Sequence, residues 1–233
     1  RLAWMGLKQK KEKRGAAPPR TPTLLEQVGA LDAAVSRKVV VSSAVGARGA
    51  GGGGVRLGLR ALEFMGSGWM WFPVPIAYLL SGYATDVQRW VLSNLVLGFL
   101  LDAAAVGLIK SKTRRPRPPW NVQGDMDLTV AVDKFSFPSG HTSRAFMIAI
   151  VGSCTYGKGA PLKQLGFFAW SCLTSGARVA MGRHYVGDVL AGLFLAFLLT
   201  SALTLGTFEP SYFWLTPALV GQMLGAAEVA PQA

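Results

Sequence analysis

A chain of 233 residues that is 51% hydrophobic and only 15% charged is too apolar for an ordinary soluble domain, in which about a quarter of residues carry charge. One compact helical membrane domain is expected, rather than two soluble ones. The net charge of +12 is concentrated in residues 1–60, where twelve of the 24 Lys and Arg meet three acids. That pattern fits anionic headgroups on a cytoplasmic membrane face better than nucleic acid.

Residues 1–21 form a basic, proline-ended lead. Residues 22–45 mix apolar positions with Glu26, Asp32, Arg37 and Lys38, which predicts an amphipathic helix lying on the membrane surface. The run GARGAGGGGVRLG (46–58) follows no strand and precedes no Gly-Lys-Ser/Thr, so it reads as a flexible linker rather than a phosphate loop. Residues 22–60 are thus expected to hold an interfacial helix and a Gly-rich linker, and 61–233 the transmembrane domain. Apolar stretches of about 18–24 residues, enough to cross ~30 Å of hydrocarbon, place spans near 66–84, 88–109, 142–158, 162–181 and 185–207. A sixth stretch, 211–228, is broken by Pro217. The expected fold is therefore an all-α integral membrane bundle of about five to six transmembrane helices with an N-terminal amphipathic helix. Cys154 and Cys172 lie within apolar runs and read as small core hydrophobes.

Three polar clusters interrupt this pattern. The first, KSKTRRPRPPW (110–120), has five basic positions. A positive-inside anchor would explain the charge, but not the rigidity of Pro116, Pro118 and Pro119. Lys110 and Arg117, held at a fixed separation, can grip an anion. The second is PSGH (138–141). Ser139 is placed to cap a helix whose N-terminus offers unpaired N–H groups, and Gly140 leaves room for close approach. His141, in the first turn, can give a proton to an oxygen leaving that anion, or serve as an interfacial hydrogen-bonder. In the third, RVAMGRHYVGD (178–188), Arg178 adds a cation. Asp188, expected one helical turn beyond His184 on the same face, can hold one imidazole nitrogen protonated and leave the other free to attack. A self-satisfied His–Asp pair is the plainer reading.

Two membrane crossings return a chain to its starting face, so all three clusters converge on one side, and both histidines of the chain fall within them. Together they make a phosphate cradle with a nucleophile and a general acid, in which cationic side chains replace a metal ion. Metal ligation is disfavoured by the few histidines and the surrounding cations, and no cofactor is expected.

These segments resemble the three signatures of the type-2 phosphatidic acid phosphatase, or lipid phosphate phosphatase, superfamily: K-x6-RP (Lys110, Arg117, Pro118), PSGH, and R-x5-H-x3-D (Arg178, His184, Asp188). The resemblance covers roughly residues 90–200. VDKFSFPSGHTSR and RVAMGRHYVGDV are similar to the branch of polyisoprenoid diphosphate phosphatases and plant and algal beta-type lipid phosphate phosphatases. It implies that His184 forms a phosphohistidine supported by Asp188, that His141 protonates the leaving oxygen, and that Lys110, Arg117, Arg178, Ser139 and Gly140 bind the phosphoryl oxygens without a metal. Ala177 departs from the usual Ser before the arginine. Vanadium haloperoxidases share such a site but are soluble and longer. A catalytically silent scaffold of the same fold is the alternative; it should have lost a site residue, and none is missing.

Expected partners are a lipid phosphate or isoprenoid diphosphate and membrane lipids, with no nucleic acid; self-association as a homo-oligomer is left open. The loops opposite the site carry only Arg89, Lys158 and Lys163, which predicts a cytosol-facing site; the endoplasmic reticulum or nuclear envelope is the expected membrane, with a plastid envelope as the other candidate. Asp102, in the middle of the second expected span, is a functional candidate by its position, or a partner for polar groups of the bundle.

Overall fold

The computed structural model describes residues 21–41, 53–121, 134–155 and 159–204, and within them the chain is all helical. All but the last residue of the basic lead 1–21, and the whole sixth apolar stretch 211–228, lie outside the described residues.

Helix α1 (Leu24–Val39) starts at a capping box, in which Thr23 and Glu26 satisfy each other's backbone N–H groups. Leu24, Leu25, Val28, Leu31, Val35 and Val39 form an outward stripe, while Ser36 and Asp32 turn inward. Val41 N donates to Ala180 O at 3.0 Å, which ties the end of this helix to the end of helix α7 (Pro161–Ala180).

Helix α2 (Gly53–Met65) occupies part of the segment expected to be a linker. Three glycines within it cost the helix about 1 kcal/mol each. Packing against α7 and an ion pair made by Glu63 override that propensity.

The first expected span, 66–84, is not one helix. It divides into α3 (Gly68–Trp71) and α4 (Pro73–Leu80). Pro73 and Pro75 lack the N–H groups that a continuous helix would need there. Eight residues give α4 only about 12 Å, too short to cross.

The remaining helices begin and end close to the expected limits: α5 (Asp86–Thr113), α6 (Gly140–Thr155), α7 (Pro161–Ala180) and α8 (Val186–Thr204). By length and apolarity, however, only α5 and α8 qualify as membrane spans among the described residues. Among the described residues, therefore, the expected count of five to six is not confirmed. Helix α6 has 16 residues, short of the ~20 that a crossing needs. Helix α7 has the length, but Ser171, Thr174, Ser175 and Arg178 lower its hydropathy.

Helix α6 is the hub. It packs against α5, α7 and α8 and buries most of its length. Trp90, Phe99, Phe146, Met147 and Leu203 join in the apolar core. Ser171 Oγ donates to Ala145 O at 2.9 Å across the α6–α7 contact, where small residues let the helices approach. At the α6–α8 crossing, a Cβ on Gly192 would lie 2.5 Å from Ser139 O, so only glycine admits this approach. These close contacts bring the start of α6 and the start of α8 to one end of the bundle.

Candidate active site

Asp188 organises that end. Its side chain is fully buried in the first turn of α8. One oxygen accepts from Tyr185 N at 2.9 Å, the other from Arg115 at 2.7 Å. Its backbone carbonyl accepts from Ser139 N at 3.0 Å, joining α8 to the start of α6.

His184 is also buried. Its Nδ1 lies 2.8 Å from Ser136 O and 3.6 Å from Asp188 Oδ2. A carbonyl only accepts, so Nδ1 carries the proton there and Nε2 keeps its lone pair. This corrects the expected geometry in two ways. Helix α8 begins at Val186, so His184 stands in the preceding turn rather than on the same helical face as Asp188. The nearer orienting group is the Ser136 carbonyl, and the carboxylate sits slightly further off.

Arg115, which sequence reasoning left among the anchor charges, bridges Asp188 and Asp32 at 2.7 Å each. Its guanidinium carbon lies 4.0 Å above the Tyr185 ring. Burial works against its charge, but Asp32 and Asp188 outweigh that and raise its pKa above the ordinary value. Helix α1 also caps α8 from outside: Ser36 Oγ accepts from Val186 N and Asp32 Oδ1 from Gly187 N, both at 2.9 Å. Gly187 permits this contact, since a Cβ there would lie 2.6 Å from the Asp32 carboxylate.

The other predicted residues gather around this frame. Ser139 is buried, and its Oγ accepts from Thr142 N at 3.4 Å and from Thr142 Oγ1 at 3.0 Å, in the capping position expected of it. Gly140 begins α6 and gives space to the Arg144 guanidinium, which lies 3.3 Å from where its Cβ would stand. Arg117 donates to Arg183 O at 3.0 Å and so holds the loop that carries His184. Lys110 is buried in the last turn of α5. At His141, burial first and then the charges of Arg178, Arg144, His184 and Lys110 hold the imidazole pKa well below its ordinary value.

Arg178 is buried and paired with Glu63 of α2; Arg183, equally buried, meets the same carboxylate at 2.9 and 3.1 Å. Asp102, unassigned from the sequence, pairs with Arg144 at 3.1 Å. The residues missed by sequence reasoning are thus Asp32, Ser36, Glu63, Arg115, Ser136, Arg144 and Arg183. For the two arginines in the signatures, position beside His141 and His184 was a usable signal; for Asp32 and Glu63 there was none. An apolar groove of about 430 Å³, lined by Met65, Trp71, Ile148, Phe167 and Trp170, runs beside α2, α6 and α7.

This arrangement can hold an anion among cations beside an oriented imidazole. Residues 91–211 match the model of the PAP2 superfamily. A probable lipid phosphate phosphatase beta of Arabidopsis thaliana is 33% identical over 150 residues, 53% of this chain and 67% of that protein. The lipid A 1-phosphatase of Porphyromonas gingivalis is 30% identical over 147 residues; the match takes in 58% of this chain but only 31% of that protein. Among solved structures, the PAP2-type phosphatidylglycerolphosphate phosphatase of Bacillus subtilis superposes with a TM-score of 0.58 at 22% identity, over 76% of this chain and 84% of that one. Aquifex aeolicus LpxE gives 0.53 at 24% identity, over 74% and 93%. The sequence match and the shared helical fold agree: the chain belongs to the PAP2 superfamily.

Proposed function

We propose that this protein is a membrane-embedded, metal-independent lipid phosphate phosphatase that works through a phosphohistidine. The observation that carries the reading is the orientation of buried His184, with Nδ1 held 2.8 Å from Ser136 O and 3.6 Å from Asp188. Nε2, the nitrogen left unprotonated, attacks phosphorus as the bond to the lipid oxygen breaks. His141 gives its proton to that leaving oxygen. Water, deprotonated by the same imidazole, then cleaves the P–N bond and releases phosphate. Asp188 stabilises the imidazolium form of His184. Lys110, Arg117 and Arg178, with the Ser139 hydroxyl and the Gly140 amide at the start of α6, bind the phosphoryl oxygens.

The substrate is a lipid phosphate, such as phosphatidate or a sphingoid phosphate, or an isoprenoid diphosphate, whose similarity in branch keeps it in the set. The groove beside α2, α6 and α7 suits an apolar tail, and the outward stripe of α1 suits an interfacial helix. The basic residues 1–60 favour a cytosol-facing site, in the membrane of the endoplasmic reticulum, nuclear envelope or plastid envelope.

Phosphate release from these three substrate classes, measured with EDTA present and beside His184→Ala, tests the proposal. Release that survives EDTA and disappears in the variant supports it, and the panel ranks the substrates. No release from a folded protein returns the weight to the scaffold alternative.

A further inference from the structure

Glu63 lies outside the segment matched to the family and outside the three signatures, yet its carboxylate enters their cation cluster. It contacts Arg178, lies 2.9 Å from Arg183 Nε and accepts from Arg183 Nη2 at 3.1 Å. The two arginines are 1% and 2% exposed, whereas the Glu63 side chain keeps 20% exposure. Arg178 Nε has no hydrogen-bond partner among the described residues, so the cluster retains donor capacity that one carboxylate does not fill. Helix α2 brings Glu63 in from the side of the other histidine. A Cβ on Gly66, just past the helix, would lie 2.5 Å from Thr174 Cγ2 and 3.6 Å from His141 Cδ2.

A carboxylate presents two oxygens to a guanidinium much as a phosphoryl group does. We propose that Glu63 is a resident anion that competes with the phosphoryl group for Arg178 and Arg183, and so sets how tightly lipid phosphate and released phosphate are held. The inference rests on the reading of Arg178 as a phosphate-binding residue. An arriving phosphoryl group meets a like charge and has to displace it. The carboxylate stands at the exposed rim and can rotate into water. It therefore weakens substrate and product binding alike, which raises KM without removing transition-state contacts and speeds the departure of phosphate. It also offsets part of the charge of two buried cations while the site is empty of phosphate. The rival role is a brace that aims the arginines, in which case its removal lowers kcat.

The test compares the full chain in detergent with Glu63→Gln, which keeps shape, and Glu63→Ala, which keeps neither shape nor charge. Binding of inorganic phosphate and orthovanadate is read from the rise in thermal midpoint with anion concentration, and KM and kcat from phosphate release. Competition predicts about tenfold tighter anion binding in both variants, as expected on removing a like charge, with KM lowered and kcat preserved. Unchanged or weaker anion binding together with lost kcat overturns it in favour of the brace. Should a variant be unstable, recovery of the fold by added phosphate supports competition, and instability that phosphate does not relieve counts against it. Activity in the wild type with unaltered anion affinity in both variants removes this inference alone. Tighter anion binding in the variants of a wild type that hydrolyses nothing removes the enzymatic reading and leaves the anion site.

Discussion

Replacing Asp32 by Ala asks whether α1 is part of the site or only lies against it. Asp32 accepts a charge-assisted hydrogen bond from Arg115 at 2.7 Å and a capping bond from Gly187 N at 2.9 Å. Loss of the cap is worth about 1 kcal/mol. Loss of the ion pair adds about 1–2 kcal/mol, discounted from the ~1.5–3 kcal/mol of a charged hydrogen bond because Arg115 is 25% exposed and screened by solvent. The sum, about 2–3 kcal/mol, corresponds to a fall of about 5–10 °C in thermal midpoint for a chain of this size. Activity should suffer separately. Arg115 would be left to Asp188 alone, drawing that carboxylate away from His184, and a misplacement of this kind costs about tenfold in kcat with little change in KM. Thermal unfolding and phosphate release on the same detergent preparation measure both effects. Asp32→Asn, which keeps an acceptor for Gly187 N, should recover about half the lost stability but not the rate. A variant with unchanged midpoint and unchanged kcat would refute the coupling of α1 to Asp188.

Asp102→Ala should lower stability by up to about 3–5 kcal/mol, because it strands the Arg144 charge, which is only 14% exposed; the double change Asp102→Leu with Arg144→Met should recover much of that in thermal unfolding. Gly192→Ala should cost about 1–3 kcal/mol and reduce activity, since its methyl would meet the Ser139 carbonyl, which belongs to the backbone and cannot rotate aside. Ala177→Ser should change stability and KM by no more than about 1 kcal/mol equivalent, read from midpoint and steady-state kinetics; Ala177 is buried, so the added hydroxyl needs a partner to be neutral.

Where local chemistry governs, the sequence was readable. The ends of α5, α6, α7 and α8 fall close to the expected limits because polar clusters interrupt long apolar runs there, and Ser139 caps α6 as its position implies. The misjudged elements are those in which tertiary contact overrides composition. Glycines argued for a linker at 53–58, but α2 forms against α7. Apolar content argued for a span at 66–84, while Pro73 and Pro75 divide it. Asp32 and Glu63 were hidden for a different reason. Asp32 reaches Arg115 across 83 positions and Gly187 across 155, and Glu63 reaches Arg178 across 115. No periodicity links residues so far apart. The pairing of His184 with a backbone carbonyl was equally invisible, since any residue at 136 supplies one.

The central claim is that His184 becomes covalently phosphorylated. Brief incubation of the protein with a lipid phosphate labelled in its phosphoryl group, in EDTA, followed by denaturation at high pH, measures it most directly. The account predicts a label that is stable to base, labile to acid, located on His184 and absent from His184→Ala. Turnover with no trapped label and with activity retained in His184→Ala would contradict it, as would a label on any other residue.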